Sequence, residues 1–290
     1  MWLVLSNPTS GGGDGEKYRR IITSYLANES IDFRDITAEN FAAAQLSLSH
    51  ALTSQNGDID GVLVIGGDGM VHLAIQQLRN SGIPLALIPA GTGNDFARSL
   101  NLPLGKPVEL LRRYLTTKPD LIDLGEVNGK TFAEILSTGF DSVVNERANR
   151  MRWIKGRMKY NIAIALELST FTPKEYEFRI DGVSFKTKAM LIAVGNGVSY
   201  GGGMKVTPQA KLDDGLFDIM VLGPVSKVEF LKVFPSVFSG EHITHPAVKI
   251  LQGRDVEIHA DAVAYADGER IGDLPIRATV IPRSLLTWWV

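Results

Sequence analysis

Between Gly61 and Leu78 the chain reads Gly-Val-Leu-Val-Ile-Gly-Gly-Asp-Gly-Met-Val-His-Leu-Ala-Ile-Gln-Gln-Leu, and its glycines and single acid are the residues most suited to chemistry. Gly66, Gly67 and Gly69 can take backbone angles closed to other residues. A turn built from them aims several amide N–H groups at one point. A helix starting there adds the positive end of its dipole, and the combination suits phosphate. Asp68 conflicts with that use, because a carboxylate repels bare phosphate. Two readings resolve the conflict: a divalent cation between the acid and a nucleotide, as in phosphoryl transfer from Mg-ATP, or a purely local role as cap of a helix starting near Met70. From this stretch alone both remain open.

The elements that must position these residues follow from the apolar pattern. Val62 to Ile65 is an apolar run without alternation, as in a strand covered on both faces. Val71, Ala74, Ile75 and Leu78 then fall at helical spacing. The same strand, glycine turn and helix theme occurs at Trp2 to Leu5, followed by Asn7-Pro8-Thr9-Ser10-Gly11-Gly12-Gly13 and a helix over Lys17 to Leu26. Ile31 to Ile36 reads as a strand ending at Thr37, before a helix reaching Leu52. Ile83 to Ile88 leads into Pro89-Ala90-Gly91-Thr92-Gly93-Asn94-Asp95 and a helix at Phe96 to Leu100. Alternating strands and helices predict a parallel sheet. Its strand-to-helix loops then emerge along one carboxyl edge, where ligands of open α/β folds bind. There is no G-x-x-x-x-G-K-[ST] and no G-x-G-x-x-G, so neither a P-loop nor an ordinary dinucleotide fold is expected.

After about Leu121 the composition changes. Lys174 to Lys188 alternates, with Tyr176, Phe178 and Ile180 on one face and Asp181-Gly182 as a hairpin turn. Met190–Val194, Phe217–Leu222, Val248–Leu251, Val256–Ile258 and Ile276–Ile281 read as further strands. Short strands with few helices predict an antiparallel sandwich. With 290 residues, 44% of them hydrophobic, one large or two moderate domains are expected. A net charge of -2 argues against a nucleic-acid partner. No cysteine is present, which excludes thiolate catalysis and Cys-ligated zinc and fits a reducing compartment. Met1 to Leu5 lacks the basic flank and length of a signal sequence, and no apolar run approaches the roughly 20 residues of a bilayer span.

Three segments resemble the signatures of the diacylglycerol kinase catalytic domain, as found in soluble bacterial lipid kinases and sphingosine kinases: Asn7-Pro8-Thr9-Ser10-Gly11, Gly66-Gly67-Asp68-Gly69 and Gly91-Thr92-Gly93-Asn94-Asp95-Phe96-Ala97-Arg98. Tyr200-Gly201-Gly202-Gly203-Met204, Asp213-Asp214-Gly215 and Asp267-Gly268-Glu269 extend the likeness over essentially the whole chain. Met70 departs from it, since many members carry threonine after Gly-Gly-Asp-Gly.

The resemblance implies an α/β, NAD kinase-like nucleotide domain over 1–121, with the tail 282–290 packing back on it. A β-sandwich lipid domain over 122–281 would follow, with a cleft between the two. It further implies nucleotide contacts at Asn7, Pro8, Thr9, Ser10, Gly11, Thr37, Gly66, Gly67, Asp68, Gly69, Met70, Val71, His72 and Thr92. Asp68 and Asp95 would orient Mg²⁺ and ATP, and Glu269 would be the general base. A structural Mg²⁺ would take the Asp214 carboxylate with the carbonyls of Lys211 and Leu216. Diacylglycerol is the expected acceptor, with sphingoid base, ceramide or phosphatidylglycerol as alternatives and an NAD kinase-like small-molecule kinase as a further one. A cytoplasmic protein, peripheral at the inner face of the membrane and compatible with a homodimer, is implied.

Local readings compete with these roles. Capping competes at Asp95, an ordinary turn glutamate at Glu269 and an empty Asp-Gly turn at Asp214. The histidines at 50, 72, 242, 245 and 259 are scattered and read as structural. Gly197-Val198-Ser199-Tyr200-Gly201 spells the hydrolase elbow pattern, but Gly202, Gly203 and Pro208 follow where a helix should start. Arg147, Arg150, Arg152, Lys155, Arg157 and Lys159 alternate with Met151, Trp153, Ile154 and Met158. That mixture suits either anionic lipid or a solvated basic helix.

Overall fold

The computed structural model describes residues 1–54, 58–151 and 157–289, with backbone alone at 149 and 157–161. Two compact units are present. The first comprises Met1–Leu124, Gly201–Gly203 and Ile281–Val290, the second Gly125–Tyr200 and Met204–Val280.

In the first unit the elements alternate as β1 (Trp2–Ser6), α1 (Asp14–Asn28), β2 (Phe33–Asp35), α2 (Phe41–Thr53), β3 (Gly61–Gly66), α3 (Asp68–Leu78), β4 (Leu85–Pro89), α4 (Asp95–Ser99) and α5 (Pro107–Thr116). The four strands are parallel in the order β2-β1-β3-β4. Every residue of β1, β3 and β4 is buried, as continuous apolar runs covered on both faces require. Gly61 is needed where it stands, because a Cβ there would lie 2.7 Å from the Trp2 ring. β5 (Asp120–Val127) then leads from the first unit into the second.

The second unit continues with β6 (Lys130–Phe132), β7 (Ile135–Gly139), α6 (Phe140–Arg150), α7 (Arg157–Thr170), β8 (Lys174–Ile180), β9 (Val183–Ala189), β10 (Leu191–Gly195), β11 (Phe217–Leu222), α8 (Lys227–Val233), β12 (Val248–Gly253), β13 (Asp255–His259), β14 (Val263–Ala266), β15 (Glu269–Asp273) and the start of β16 (Ile276–Thr287). One antiparallel layer runs β16-β13-β8-β9, the other β12-β11-β10-β7-β14-β15. Side chains from both meet in one core that includes Phe132, Tyr176, Phe178, Ile192, Phe217 and Val256, so the unit is a sandwich. The β8–β9 hairpin pairs Ile180 with Val183 across Asp181 (φ 47°) and Gly182 (φ 85°), and Tyr176, Phe178 and Ile180 are buried as the alternation predicts.

The structure departs from the sequence reading in three places. α8 and the 3-10 turns Phe234–Val237 and Glu241–Thr244 fill a region where few helices were expected. The last strand does not end at Ile281 but continues to Thr287. The chain bends there rather than stopping: Arg283 has φ 50°, and its N–H donates to the Asp123 carboxylate at 2.7 Å. The hydrolase pattern fails outright. Ser199 is buried, and Gly201–Gly203 turns through positive φ instead of opening a helix.

In the first unit Thr287 lies parallel beside Leu85 and its hydroxyl donates to the Leu85 carbonyl at 2.8 Å. Trp288 packs against Tyr114 (centroids 4.9 Å apart) and Trp2 (6.1 Å), and its indole donates to the Thr117 carbonyl. Among the described residues no helix is long and apolar enough to cross a membrane. Of the basic stretch, Arg152, Trp153, Ile154 and Lys155 lie outside the described residues, whereas Arg157, Met158 and Lys159 are placed by backbone only, in α7. Arg147 is paired with Glu167.

Candidate functional site

The three glycine loops meet at the carboxyl edge of the parallel sheet. The Asn7 N–H donates to the Ile65 carbonyl at 3.0 Å, and the Ala90 N–H to the Gly66 carbonyl at 2.8 Å. Gly67 and Gly91 touch through their backbones: a Cβ on Gly91 would stand 2.4 Å from the Gly67 Cα. Gly11 (φ 57°) is equally confined, since its Cβ would meet the Ala90 carbonyl oxygen at 2.4 Å. Asn7 folds its own loop by accepting from the Thr9 N–H (3.1 Å) and hydroxyl (2.9 Å). Asn94 does the same for the third loop, its amide exchanging two hydrogen bonds of 2.9 Å with Gly91. Thr37 stands on the same edge, its hydroxyl accepting from the Ser6 N–H at 3.2 Å.

Helix α3 starts at Asp68 itself, with Gly67 as N-cap and no side-chain cap bond. Asp68 therefore is not the cap. Its carboxylate reaches the next loop and accepts from the Phe96 N–H at 3.3 Å. Asp95 is likewise the first residue of α4, after Asn94, and does not cap it. Its two oxygens accept from the N–H groups of Gly202 (2.8 Å) and Gly203 (2.7 Å), a contact between residues more than 100 positions apart that no local pattern predicts. Both acids border Gly93, whose Cβ would lie 2.7 Å from an Asp68 oxygen and 3.3 Å from an Asp95 oxygen. Arg98 lies alongside, its Nε donating to the Gly93 carbonyl at 3.3 Å. Two carboxylates are thus held together beside an edge of backbone amides. Met70 is buried against Gly66, and Val71 and His72 are buried behind the same turn. Thr92 is exposed at the loop tip.

Glu269 lies in the second unit, exposed, and opens β15 opposite Ala266. The turn before it is held firmly. Asp267 (φ 49°) accepts from three backbone N–H groups, of Ala133 (2.7 Å), Glu134 (3.0 Å) and Ile135 (3.3 Å). Arg270 continues the anchoring, 3.6 Å from Glu146 and 2.7 Å from Asp273.

Asp214 accepts from the Leu216 N–H at 3.0 Å, closing a turn that also contains Gly215 (φ 72°). Nearby Asp218 is buried. Burial pushes its carboxyl up, the Asp214 charge adds to this, and Gln252 and Lys211 act in the opposite sense.

Asp141, at the start of α6, carries no sequence signal. It is buried with both oxygens outside hydrogen-bond geometry, as is the Tyr176 hydroxyl nearby. Burial raises Asp141 to about 6 against weaker lowering contacts from Ser137 and Ser142. Burial likewise takes Tyr176 up to about 12.

A parallel α/β unit with paired acids in glycine loops, joined to a β-sandwich, defines a phosphate-handling class of two-domain proteins. Two family profiles cover this chain: the diacylglycerol kinase catalytic domain over residues 1–127 and the YegS C-terminal NAD kinase beta sandwich-like domain over 134–287. A diacylglycerol kinase of Mycobacterium tuberculosis is 37% identical over 97% of this chain and 93% of its own. One of Bacillus subtilis is 28% identical over 94% of this chain and 90% of its own. The crystal structure of a diacylglycerol kinase from Bacillus anthracis superposes with a TM-score of 0.75 at 20% identity, covering 100% of this chain and 96% of that one, a likeness of fold. The chain belongs to the diacylglycerol kinase family.

Proposed function

We propose that the protein is an ATP-dependent lipid kinase that moves the γ-phosphoryl group of ATP to the hydroxyl of diacylglycerol, giving phosphatidic acid and ADP. The observation that carries this reading is the pairing of Asp68 and Asp95 beside Gly93, at the edge where the three glycine loops meet and helix α3 begins. Such an edge binds phosphates, and two adjoining carboxylates suit a hydrated Mg²⁺, which takes one or two carboxylates together with phosphate oxygens. When bound, Mg²⁺ neutralises phosphate charge. Among the described residues no set of three or more acids and histidines is gathered around a point, so the donor set fits that open arrangement rather than a closed protein cage.

The nucleotide contacts are assigned to Asn7–Gly11, Thr37, Gly66–His72 and Thr92. Glu269 takes the proton of the acceptor hydroxyl as its oxygen bonds to phosphorus and the bond to ADP breaks. A structural cation is assigned to the Asp214 carboxylate and the carbonyls of Lys211 and Leu216. Residues 1–121 with the tail 282–290 are assigned as the nucleotide-binding domain, and 122–281 as the β-rich domain within which the lipid acceptor site lies. The same reading puts the enzyme in the cytoplasm, at the inner face of the membrane.

Labelled ATP and Mg²⁺ offered with mixed micelles of diacylglycerol, sphingoid base, ceramide or phosphatidylglycerol, and separately with NAD, test this. Label is expected in phosphatidic acid. Asp68→Ala and Glu269→Ala should each lose at least about 100-fold in kcat, the lower range for losing an acid–base group or a charge-stabilising contact. Transfer to NAD, or an unimpaired Glu269→Ala enzyme, overturns the assignment.

A further inference from the structure

Helix α8 runs directly into the 3-10 turn Phe234–Val237, making one helical stretch from Lys227 to Val237 with Phe238 as its C-cap. Its inner side carries Phe230, Val233, Phe234 and Val237 at i, i+3, i+4, i+7. Phe230 packs on Phe140 (5.0 Å between centroids) and on Phe234 (5.6 Å). Its outer side carries Val228, Leu231, Pro235 and Phe238 at i, i+3, i+7, i+10. Of these Val228 is 63%, Leu231 57% and Phe238 50% exposed. A helix apolar on two opposite sides is normally covered on both, and adjacent exposed apolar side chains mark a contact surface. The rings of Phe234 and Phe238 meet edge to face with centroids 6.3 Å apart, which ties this end of the stripe to the inner side.

The charges around the stripe select among partners. Lys227 and Lys232 flank it, both exposed. Glu229, the one acid between 227 and 238, is exposed but engaged locally. It accepts from the Ser226 N–H at 3.3 Å in a capping box and lies 3.3 Å from the His245 ring. Lys227 donates to the carbonyl of Ser169 at the end of α7, a neutral acceptor. A second copy packed on this face about a two-fold axis would gather four of these lysines into one interface. A surface rich in anionic lipid meets both the apolar stripe and its cationic flanks.

We propose that the outer face of residues 227–238 is the surface by which this protein docks on an anionic lipid bilayer. The proposal rests on the lipid-kinase reading only in that such an enzyme must reach a substrate confined to a bilayer. Val228, Leu231 and Phe238 dip into the headgroup region, while Lys227 and Lys232 stay with the phosphates.

Flotation with vesicles of phosphatidylcholine, with and without phosphatidylglycerol, tests it. Wild type should float with the anionic vesicles. Leu231→Glu and Phe238→Glu should each reduce the bound fraction at least about ten-fold, and Lys227→Gln or Lys232→Gln about five-fold, on anionic vesicles only. Because the chain has no cysteine, Leu231→Cys introduces a unique thiol for an environment-sensitive fluorophore. Its emission should shift to the blue with anionic vesicles, and the same probe at Val183→Cys, on exposed β9, should not.

A wild type that does not float, a Leu231→Glu variant that floats normally, or no shift at position 231 overturns the proposal. So does a shift that follows protein concentration without vesicles, which would mean self-association. Short-chain diacylglycerol in detergent micelles separates this from the kinase reading. Leu231→Glu should turn it over at the wild-type rate. If wild type fails to phosphorylate it, the kinase reading falls while the flotation result stands on its own.

Discussion

Asp267 accepts from three backbone N–H groups, which makes it the residue that fixes the turn from which Glu269 projects. Replacing it with alanine strands those donors, at a cost of about 3 kcal/mol for charge-assisted bonds. Asp267→Ala should lower kcat at least about ten-fold with little change in KM for ATP, since Glu269, the proposed base, would be misplaced while the glycine loops of the first unit stay untouched. Asp267→Asn, which keeps acceptor capacity, should recover part of that loss. Steady-state kinetics on the folded variants decide it. Asp141 makes a different case, because burial raises its carboxyl to about 6 from 3.8. The native state then holds a proton that the unfolded chain releases, so stability falls as pH rises through that window and stays lowered above it. Asp141→Asn should therefore stabilise the protein by up to about 3 kcal/mol at pH 7 and above, at roughly 1.4 kcal/mol per unit. Below pH 4 the gain should vanish, and melting curves across that range would show it.

At the scale of elements, the nucleotide edge depends on backbones close enough to exclude a methyl group. Gly91→Ala would drive a Cβ to 2.4 Å from the Gly67 Cα, so the second and third loops must part. A loss of at least about ten-fold in kcat/KM for ATP is expected, with a lowered Tm. Gly69→Ala meets nothing within 4 Å and sits in the first turn of α3, so the variant should fold as well as wild type or better. Thermal denaturation of the pair checks this contrast. These loops were readable in the sequence because glycine spacing and strand–helix alternation are local signals. The β8–β9 hairpin was readable for the same reason, through Asp181-Gly182 and its flanking alternation. β7, β14 and β15 were not read as strands, their short segments lacking clear alternation, and the extension of β16 was hidden by Pro282 and the turn at Arg283. Asp95 meeting Gly202 and Gly203, and Asp267 meeting Ala133 to Ile135, join residues more than 100 positions apart. No local pattern encodes such pairs, and for that reason capping looked as good as catalysis at Asp68 and Asp95.

On the scale of the whole molecule, the net charge of -2 conceals a cationic, apolar stripe at residues 227–238, so overall charge is a poor guide to what this protein touches. The first unit is also discontinuous, since its sheet and α5 are covered by Thr287 and Trp288. Trp288→Ala removes a buried ring between Tyr114 and Trp2 and should cost about 3–5 kcal/mol, measurable by denaturant titration. During synthesis, residues 281–289 leave the ribosome only after all of the second unit has been made. The nascent first unit must therefore wait, incompletely closed, for the 156 residues from 125 to 280 to be translated. A ribosome-stalled chain ending before residue 281 should accordingly be more open to protease within residues 1–124 than the released protein.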